Sequence, residues 1–270
     1  MQNLKTPIEI LKILDKSNCK ECNEPTCLAF AAAVFNGRKQ LQDCPHVDGE
    51  IIDQFGGEPQ NRTTIAQDME NAVEQLKKKI GAIDLGLAAQ RLGAGFSEGK
   101  LTIKICGKDF RVDSVGNFSS EIHIHPWITI PILNYIIDGA GVPVSGKWVP
   151  FRELKDGKTW AGLFGQRCEK PLKKVADTYT DLFSDMLHVF KGKQVENHYA
   201  SDISLILHPL PLFPILICYW KPEDGLESSL NIFFDSTAEK NLNIESIYAL
   251  ATGLVNMFEK VALRHGFHGM

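Results

Sequence analysis

Residues 18–31 read Asn-Cys-Lys-Glu-Cys-Asn-Glu-Pro-Thr-Cys-Leu-Ala-Phe-Ala, and this stretch decides how the first part of the chain folds. Its polar loop carries three cysteines, Cys19, Cys22 and Cys27, and runs directly into an apolar segment. Pro25 stands where proline favours the start of a helix, and the Ala-rich run after it favours helix. We therefore expect a helix over 26–36, with Cys27 in its first turn.

A fourth cysteine follows the predicted helix, as Cys44-Pro45. The full spacing is Cys-x2-Cys-x4-Cys-x16-Cys, which gives three thiols in one loop and a fourth from beyond a helix. This arrangement is typical of a [4Fe-4S] cubane, whose net negative charge is stabilised by backbone amides and by the positive end of a helix. The spacing predicts one [4Fe-4S] cluster bound by Cys19, Cys22, Cys27 and Cys44.

Two alternatives for the cysteines stay open, structural zinc and thiols without metal. Zinc sites usually combine two close Cys or His pairs, whereas the chain has a single Cys-x2-Cys pair, with Cys27 and Cys44 standing alone. His46 is the first substitute if the fourth ligand is not a thiolate.

The segment from Asn18 to Ala31, with Asp43-Cys44-Pro45 downstream, resembles the iron–sulfur module of corrinoid iron–sulfur protein large subunits. A similar module occurs in the Rnf-complex B subunit. The resemblance implies that each of the four cysteines binds one corner of a [4Fe-4S] cluster. The chain departs from the family at Asn23, where Gly is usual, but Asn also tolerates a left-handed backbone.

Outward from this module, the sequence predicts a boundary. A short helix over 6–15 precedes the cysteine loop, and the stretch 47–62 has the Gly, Pro and Asn content of a connector without regular structure. We expect a [4Fe-4S] module at 1–46, the connector at 47–62 and a second domain at 63–270.

The second domain alternates between blocks of strands and blocks of helices, which predicts the α+β class, a mixed helix and antiparallel-sheet domain behind a small helical module. Strands are expected at 101–105, 110–112, 118–124, 203–207, 215–220 and 230–234. Helices are expected at 64–80, 127–137, 171–190 and 244–264.

Weaker motifs in the second domain favour structural interpretations. The stretch from Gly141 to Lys147 has the outline of a phosphate loop, but Trp148 replaces the Ser or Thr that would hold Mg²⁺. Gly93-Ala-Gly95 lacks the third glycine of a dinucleotide fingerprint. His123 and His125 lie two apart on a predicted strand, so both point to the same face of it. A polar strand face explains them better than a metal site does. Isolated cysteines are read as buried, inert thiols, namely Cys106, Cys168 and Cys218.

A second resemblance covers roughly 82–261. Gly146 to Leu154, the segment from Arg167 to Leu172, Pro209 to Pro214, and Leu230 to Asp235 together resemble the bacterial and archaeal family DUF3786. The resemblance implies no catalytic residue. The residues Trp148, Phe151 and Arg152 suit either a ligand cleft or, as we favour, an aromatic core with one surface arginine.

Charge and hydropathy exclude other classes. Asp and Glu outnumber Lys and Arg by 33 to 29, so nucleic acid is not an expected partner. No segment predicts a membrane span or a secretory signal, and four clustered cysteines among seven argue for metal binding in the cytoplasm. We expect a one-electron relay to a partner protein or ligand in anaerobic, corrinoid or one-carbon metabolism. The alternative is a non-redox binding module with a structural cluster, and enzymatic activity stays an open question.

Overall fold

The computed structural model describes residues 6–55, 65–121, 125–179, 181–196 and 198–265. The chain divides into two compact units, Met1–Asn71 and Ala72–Met270. Part of the predicted connector, residues 56–62, lies outside the described residues, as do His123 and the end of the strand predicted at 118–124. The domain boundaries at 46 and 63 stay a prediction.

The part of the first unit that the structure describes includes the short helices α1 (Pro7–Lys12), α2 (Cys27–Phe35) and α3 (Gly49–Phe55). Threonine side chains begin two of them: Thr6 Oγ1 accepts a hydrogen bond from the Glu9 N–H and Thr26 Oγ1 from the Ala29 N–H. Helix α2 is followed by Gly37 in the left-handed conformation, with φ of 69°, which is a common way for a helix to end.

Helix α3 corrects the prediction that 47–62 holds no regular element. Ile51, Ile52 and Phe55 lie on this helix and pack, partly buried, against the hydrophobic core of the first unit. The glycines around this short run made its composition look like that of a connector, but burial of three apolar side chains stabilises a helix there.

The second unit contains a four-stranded antiparallel sheet in the order β1-β2-β3-β4. Its strands are β1 (Gly95–Ser97), β2 (Lys100–Ile105), β3 (Lys108–Asp113) and β4 (Phe118–Ser120). Before the sheet come α4 (Ile65–Ile80), whose residues from Ala72 onward belong to this unit, and α5 (Leu85–Leu92). Helix α5 was not predicted from the sequence, although Asp84 caps its start and Gly93 its end.

A five-stranded antiparallel sheet has the order β5-β9-β8-β7-β6. Its strands are β5 (Trp148–Pro150), β6 (Lys193–Gln194), β7 (Ile203–Leu210), β8 (Phe213–Trp220) and β9 (Ser229–Asp235). The strands predicted at 203–207, 215–220 and 230–234 lie within β7, β8 and β9, so these predictions are confirmed. Strand β8 is buried along nearly its whole length, which is why it reads as a continuous apolar run.

The remaining helices are α6 (Pro126–Asp138), α7 (Gly157–Phe164), α8 (Lys170–Thr178), α9 (Leu182–His188), α10 (Ala238–Asn241) and α11 (Ile244–His265). A π-helical turn, Gly165–Glu169, joins α7 to α8. The prediction of a single helix over 171–190 is wrong, because α8 ends at Thr178 and α9 begins at Leu182. No described helix combines the length and the apolar character that crossing a bilayer requires.

An aromatic cluster lies within the core of the second unit. Phe151 stacks on Phe164 with ring centroids 4.2 Å apart, and both rings meet Phe234 edge-on. Phe151 is thus a core residue while Arg152 is exposed, the interpretation that the sequence analysis favoured. Two antiparallel sheets with separate helices confirm the α+β class.

Candidate metal centre

The cysteine loop of the first unit has an unusually curled backbone. Four of its non-glycine residues adopt the left-handed conformation, with φ of 61° at Lys16, 53° at Asn18, 67° at Lys20 and 58° at Asn23. Each such residue costs free energy unless its surroundings enforce it. Asn23, where the resembling family has Gly, takes the left-handed backbone that glycine would take, so the expectation for this position is confirmed.

The four cysteines differ in exposure. Cys22, Cys27 and Cys44 are each 7% exposed and belong to the hydrophobic core of the first unit, whereas Cys19 is exposed. Their core neighbours include Ile10, Leu14, Phe30, Ala31 and Leu41. The loop therefore turns three thiols into an apolar interior and leaves one at the surface.

Helix α2 and Asn18 fix the position of Cys27. The Cys27 N–H donates to Asn18 Oδ1 at 2.7 Å, and the Asn18 N–H donates in turn to Cys27 Sγ at 3.3 Å. Cys27 is the first residue of α2, so its sulfur also lies at the positive end of the helix. No role for Asn18 was predicted from the sequence, although an asparagine next to Cys19 tolerates a left-handed backbone and could have indicated one.

Cys44 lies near two of the other cysteines. Burial raises the pKa of the Cys44 thiol, the His46 N–H lowers it, and the proximity of Cys22, Asp15 and Cys19 raises it further. A single 3₁₀ turn, Leu41–Asp43, presents Cys44, and Asp43 Oδ2 accepts the Gln40 N–H at 2.7 Å to hold the turn. Cys44 is therefore close enough to Cys19 and Cys22 for their charges to affect its pKa.

A lysine lies beside the same loop. Lys39 is half-buried, and its Nζ donates to the backbone carbonyl of Cys22 at 2.6 Å. An ammonium at this position offsets part of the negative charge that four thiolates bring. No motif in the sequence pointed to Lys39, because its partner is a backbone atom 17 residues earlier.

His46, the substitute ligand of the zinc alternative, lies at the exposed side. Its Nε2 is 3.0 Å from Glu21 Oε2, and the donor atoms of Cys19, Glu21 and His46 all lie within 4.8 Å of one another. These three groups offer one sulfur, one oxygen and one nitrogen, a set that zinc accepts. The buried thiols Cys22 and Cys27 are not part of it.

The residues present fit an iron–sulfur cluster. Four sulfur donors, an apolar surround for three of them, a backbone N–H on Cys27 Sγ and a helix N-terminus are what such a cluster uses for ligation and for charge compensation.

The other candidate residues serve the fold. The Ser145 and Gly146 N–H groups, which a phosphate loop would aim at its ligand, donate to the Asp235 carboxylate at 3.0 and 2.7 Å. His125 is the residue before α6. The isolated thiols are buried as predicted, at Cys106, Cys168 and Cys218.

Residues 14–46 match the family model described as "Putative Fe-S cluster". An N-terminal segment of 42 residues is 52% identical to the corrinoid/iron-sulfur protein large subunit of Moorella thermoacetica, and it covers 16% of this chain and 9% of that protein. The gamma subunit of the acetyl-CoA decarbonylase/synthase complex of Methanothermobacter thermautotrophicus is 38% identical over 45 residues, 17% of this chain and 10% of its own.

The corresponding gamma 1 subunit of Methanosarcina thermophila is 43% identical over 42 residues, 16% of this chain and 9% of its own. The chain thus spans about a tenth of the length of these relatives. These matches support an iron–sulfur protein.

No solved structure matches the chain. Its larger part, residues 84–257, matches the family model "Domain of unknown function (DUF3786)". Because this match covers more than half of the 270 residues, the chain belongs to the DUF3786 family.

Proposed function

We propose that residues 1–46 bind one [4Fe-4S] cluster through Cys19, Cys22, Cys27 and Cys44, and that the chain uses it as a one-electron relay. The observation that carries the proposal is the placement of four thiols on one small loop-and-helix unit, three of them buried and one exposed. Electron exchange with a partner needs a cluster edge near the surface, and the exposed Cys19 supplies that edge.

The wider setting follows from the relatives. Their names point to a corrinoid/iron-sulfur protein and to acetyl-CoA decarbonylase/synthase. We extend this to the chain as anaerobic, corrinoid or one-carbon metabolism in a reducing cytoplasm, with a redox partner protein or a ligand of the second unit as the other electron carrier. Seven free cysteines suit a reducing compartment.

A structural cluster is the second candidate function. Cys22, Cys27 and Cys44 form part of a small hydrophobic core, so a cluster there would staple the first unit in the way that structural zinc staples small domains. Reduction separates the two functions. A relay must reach the paramagnetic [4Fe-4S]+ state with dithionite or titanium(III) citrate, whereas a cluster that stays silent under titanium(III) citrate and whose removal unfolds residues 1–45 acts as a staple.

The ligand test is anaerobic purification with iron, sulfide and zinc analysis. We expect about four iron and four sulfide per chain, and loss of occupancy when any of the four cysteines becomes serine. Cys218→Ser is the matched control, because Cys218 Sγ lies 3.7 Å from Ser204 Oγ, where a serine hydroxyl finds a partner. Zinc without iron would contradict the cluster, and full iron loading in Cys44→Ser would move the fourth ligand to His46.

A further inference from the structure

The second unit contains a cleft that the iron–sulfur site does not use. It lies where the β2–β3 turn, the ends of α5 and α9, and the β7–β8 connection meet, and its volume is about 590 Å³. Small-molecule sites usually measure roughly 300 to 1,000 Å³. The Cys106 N–H donates to the His208 carbonyl at 3.0 Å, which joins the two sheets at this point.

Small residues open the cleft. Its lining includes Gly93, Ala94 and Gly95, the stretch that the sequence analysis rejected as a dinucleotide fingerprint, and Gly107 of the β2–β3 turn. Phe190 and Pro211 add apolar surface, with Phe190 almost buried. An apolar wall of this size suits a flat, ring-sized ligand body better than a free ion.

The charges of the cleft leave a positive excess. Asp109 forms ion pairs with Lys104 and, at 2.6 Å, with Arg111. The hydrogen bond from Lys104 lowers the pKa of Asp109, so this carboxylate is ionised at neutral pH. Glu121 accepts the Asp109 N–H at 3.0 Å. Among the residues that line the cleft, Lys104 and Lys191 are cationic and Asp109 is anionic, so the lining carries a net charge of +1.

Lys191 is the cation placed to meet a ligand. Its backbone is left-handed, with φ of 55°, and its aliphatic stem lies against Gly107, where a Cβ would come within 2.4 Å of Lys191 Cγ. Among the described residues no ion pair engages its ammonium. Burial lowers the pKa of His208, so its imidazole is neutral at pH 7 and can donate or accept one hydrogen bond.

We propose that this cleft binds a small organic anion, with a carboxylate or phosphate at Lys191 and a flat apolar body over Phe190 and Pro211. Because every lining residue lies between 93 and 211, the proposal is independent of the cluster.

The test is saturation-transfer NMR on the full chain with benzoate, phenyl phosphate, neutral benzamide and inorganic phosphate. We expect benzoate or phenyl phosphate to bind at least tenfold more tightly than benzamide, and the better of the two identifies the acidic group. Lys191→Gln should weaken that binding at least fivefold. The matched control is Lys193→Gln, because Lys193 is exposed on β6 and does not line the cleft, so this variant should bind as the wild type does.

Four results would overturn the proposal. Equal binding of benzamide removes the role of charge, and equal binding of inorganic phosphate removes the role of the apolar wall. Equal weakening by Lys191→Gln and Lys193→Gln means that the lysines act only as general surface charge. No binding of any probe at millimolar concentration means that the cleft does not take an anion of this class.

Discussion

Lys39 places a positive charge beside the proposed cluster and should therefore raise its reduction potential. Its Nζ lies 2.6 Å from the Cys22 carbonyl, in a half-buried position. Replacing it by glutamine keeps a hydrogen-bond donor and removes the positive charge, so adding an electron to the cluster becomes less favourable. We expect the reduction potential to fall by tens of millivolts, since about 59 mV corresponds to a tenfold change for one electron.

The measurement for Lys39→Gln is a redox titration followed by electron paramagnetic resonance at constant salt. The adjacent Arg38 is exposed, and no described hydrogen bond or ion pair involves its side chain, so Arg38→Gln is the control for a general loss of charge. If both variants shift the potential equally, Lys39 has no special role. A fall in iron content in Lys39→Gln would instead place the residue in cluster retention.

Asn18 combines two duties that substitutions can separate. It holds a left-handed backbone, with φ of 53°, and its Oδ1 accepts the Cys27 N–H. Asn18→Gly keeps the backbone and loses the acceptor, at a cost of about 1 kcal/mol, whereas Asn18→Ala loses both and costs roughly a further 1–2 kcal/mol. Cluster loss to a chelator, followed by visible absorption, should be fastest in Asn18→Ala and intermediate in Asn18→Gly.

The control for Asn18 is Asn36→Ala, because Asn36 directly follows α2 and has an ordinary φ of −84° and an exposed side chain. We expect it to lose the cluster at the wild-type rate. Equal rates for Asn18→Ala and the wild type would contradict the role assigned to Asn18.

Individual site residues could be predicted from the sequence where the local preferences of nearby residues fix the backbone. The positions of Cys27 in the first turn of α2 and of Asn23 in a left-handed turn follow from local preferences of Pro, Ala and Asn. Lys39 and Asn18 could not be assigned in this way, because their partners are set by how the loop folds back on the helix.

Among the elements, the loop 139–147 depends on Asp235. This carboxylate is 1% exposed and accepts hydrogen bonds from Ser145, Gly146 and Thr237. Burial by itself raises the pKa of Asp235, but the hydrogen bonds from Thr237 and Ser145 outweigh it and hold the pKa below the ordinary range. The loop is a structural turn fastened to β9.

Asp235→Asn should therefore lower the free energy of unfolding by about 2–3 kcal/mol, because an amide NH₂ replaces an acceptor among buried donors. A lowered pKa also means that Asp235 stabilises the fold above about pH 4, and that this contribution is lost as the pH falls through the folded-state pKa. Urea unfolding of both proteins at pH 7 and near pH 3 measures these effects, and the difference between them should shrink in acid.

The control for Asp235 is Asp202→Asn, because exposed Asp202 accepts one hydrogen bond, from the Lys221 N–H at 2.7 Å. This change should cost less than about 1 kcal/mol. A difference for Asp235→Asn that stays constant down to pH 3 would contradict the ionised state assigned to it.

Helices and strands were predicted well where the hydrophobic periodicity is strong. They were predicted poorly where tertiary contacts set their boundaries. The run Asp-Thr-Tyr-Thr-Asp at 177–181 consists of weak helix formers, which explains why the helix predicted over 171–190 is two helices, and Tyr179 OH donates to Asp185 at 2.8 Å beyond the break. The first residue of helix α7 must be glycine, because a Cβ at position 157 would lie 2.0 Å from the Phe151 carbonyl oxygen, and no local sequence pattern reveals this requirement.

For the whole molecule, the fold class could be predicted from the sequence more readily than the order of the strands in the sheets. Alternating and continuous apolar runs indicated antiparallel strands beside separate helices, and hence α+β. The strand order β5-β9-β8-β7-β6 places the earliest strand beside the latest, which depends on packing between residues about 85 positions apart, such as Val149 and Phe234.

The last prediction is that the second unit folds without the cysteine module, and that it needs α4 to do so. Every buried member of its core lies at Val73 or beyond, and Val73, Leu76 and Ile80 supply the contribution of α4. Burial of three such side chains stabilises by roughly 5 kcal/mol, a large share of the 5–15 kcal/mol typical of a domain. A fragment of residues 63–270 should unfold cooperatively on heating, whereas 81–270 should melt at least 10 °C lower or fail to fold. Thermal unfolding of both fragments and of the full chain, followed by circular dichroism, tests the prediction. An unfolded 63–270 fragment would mean that the two units fold only together. Equal melting temperatures of the two fragments would mean that α4 lies outside the core.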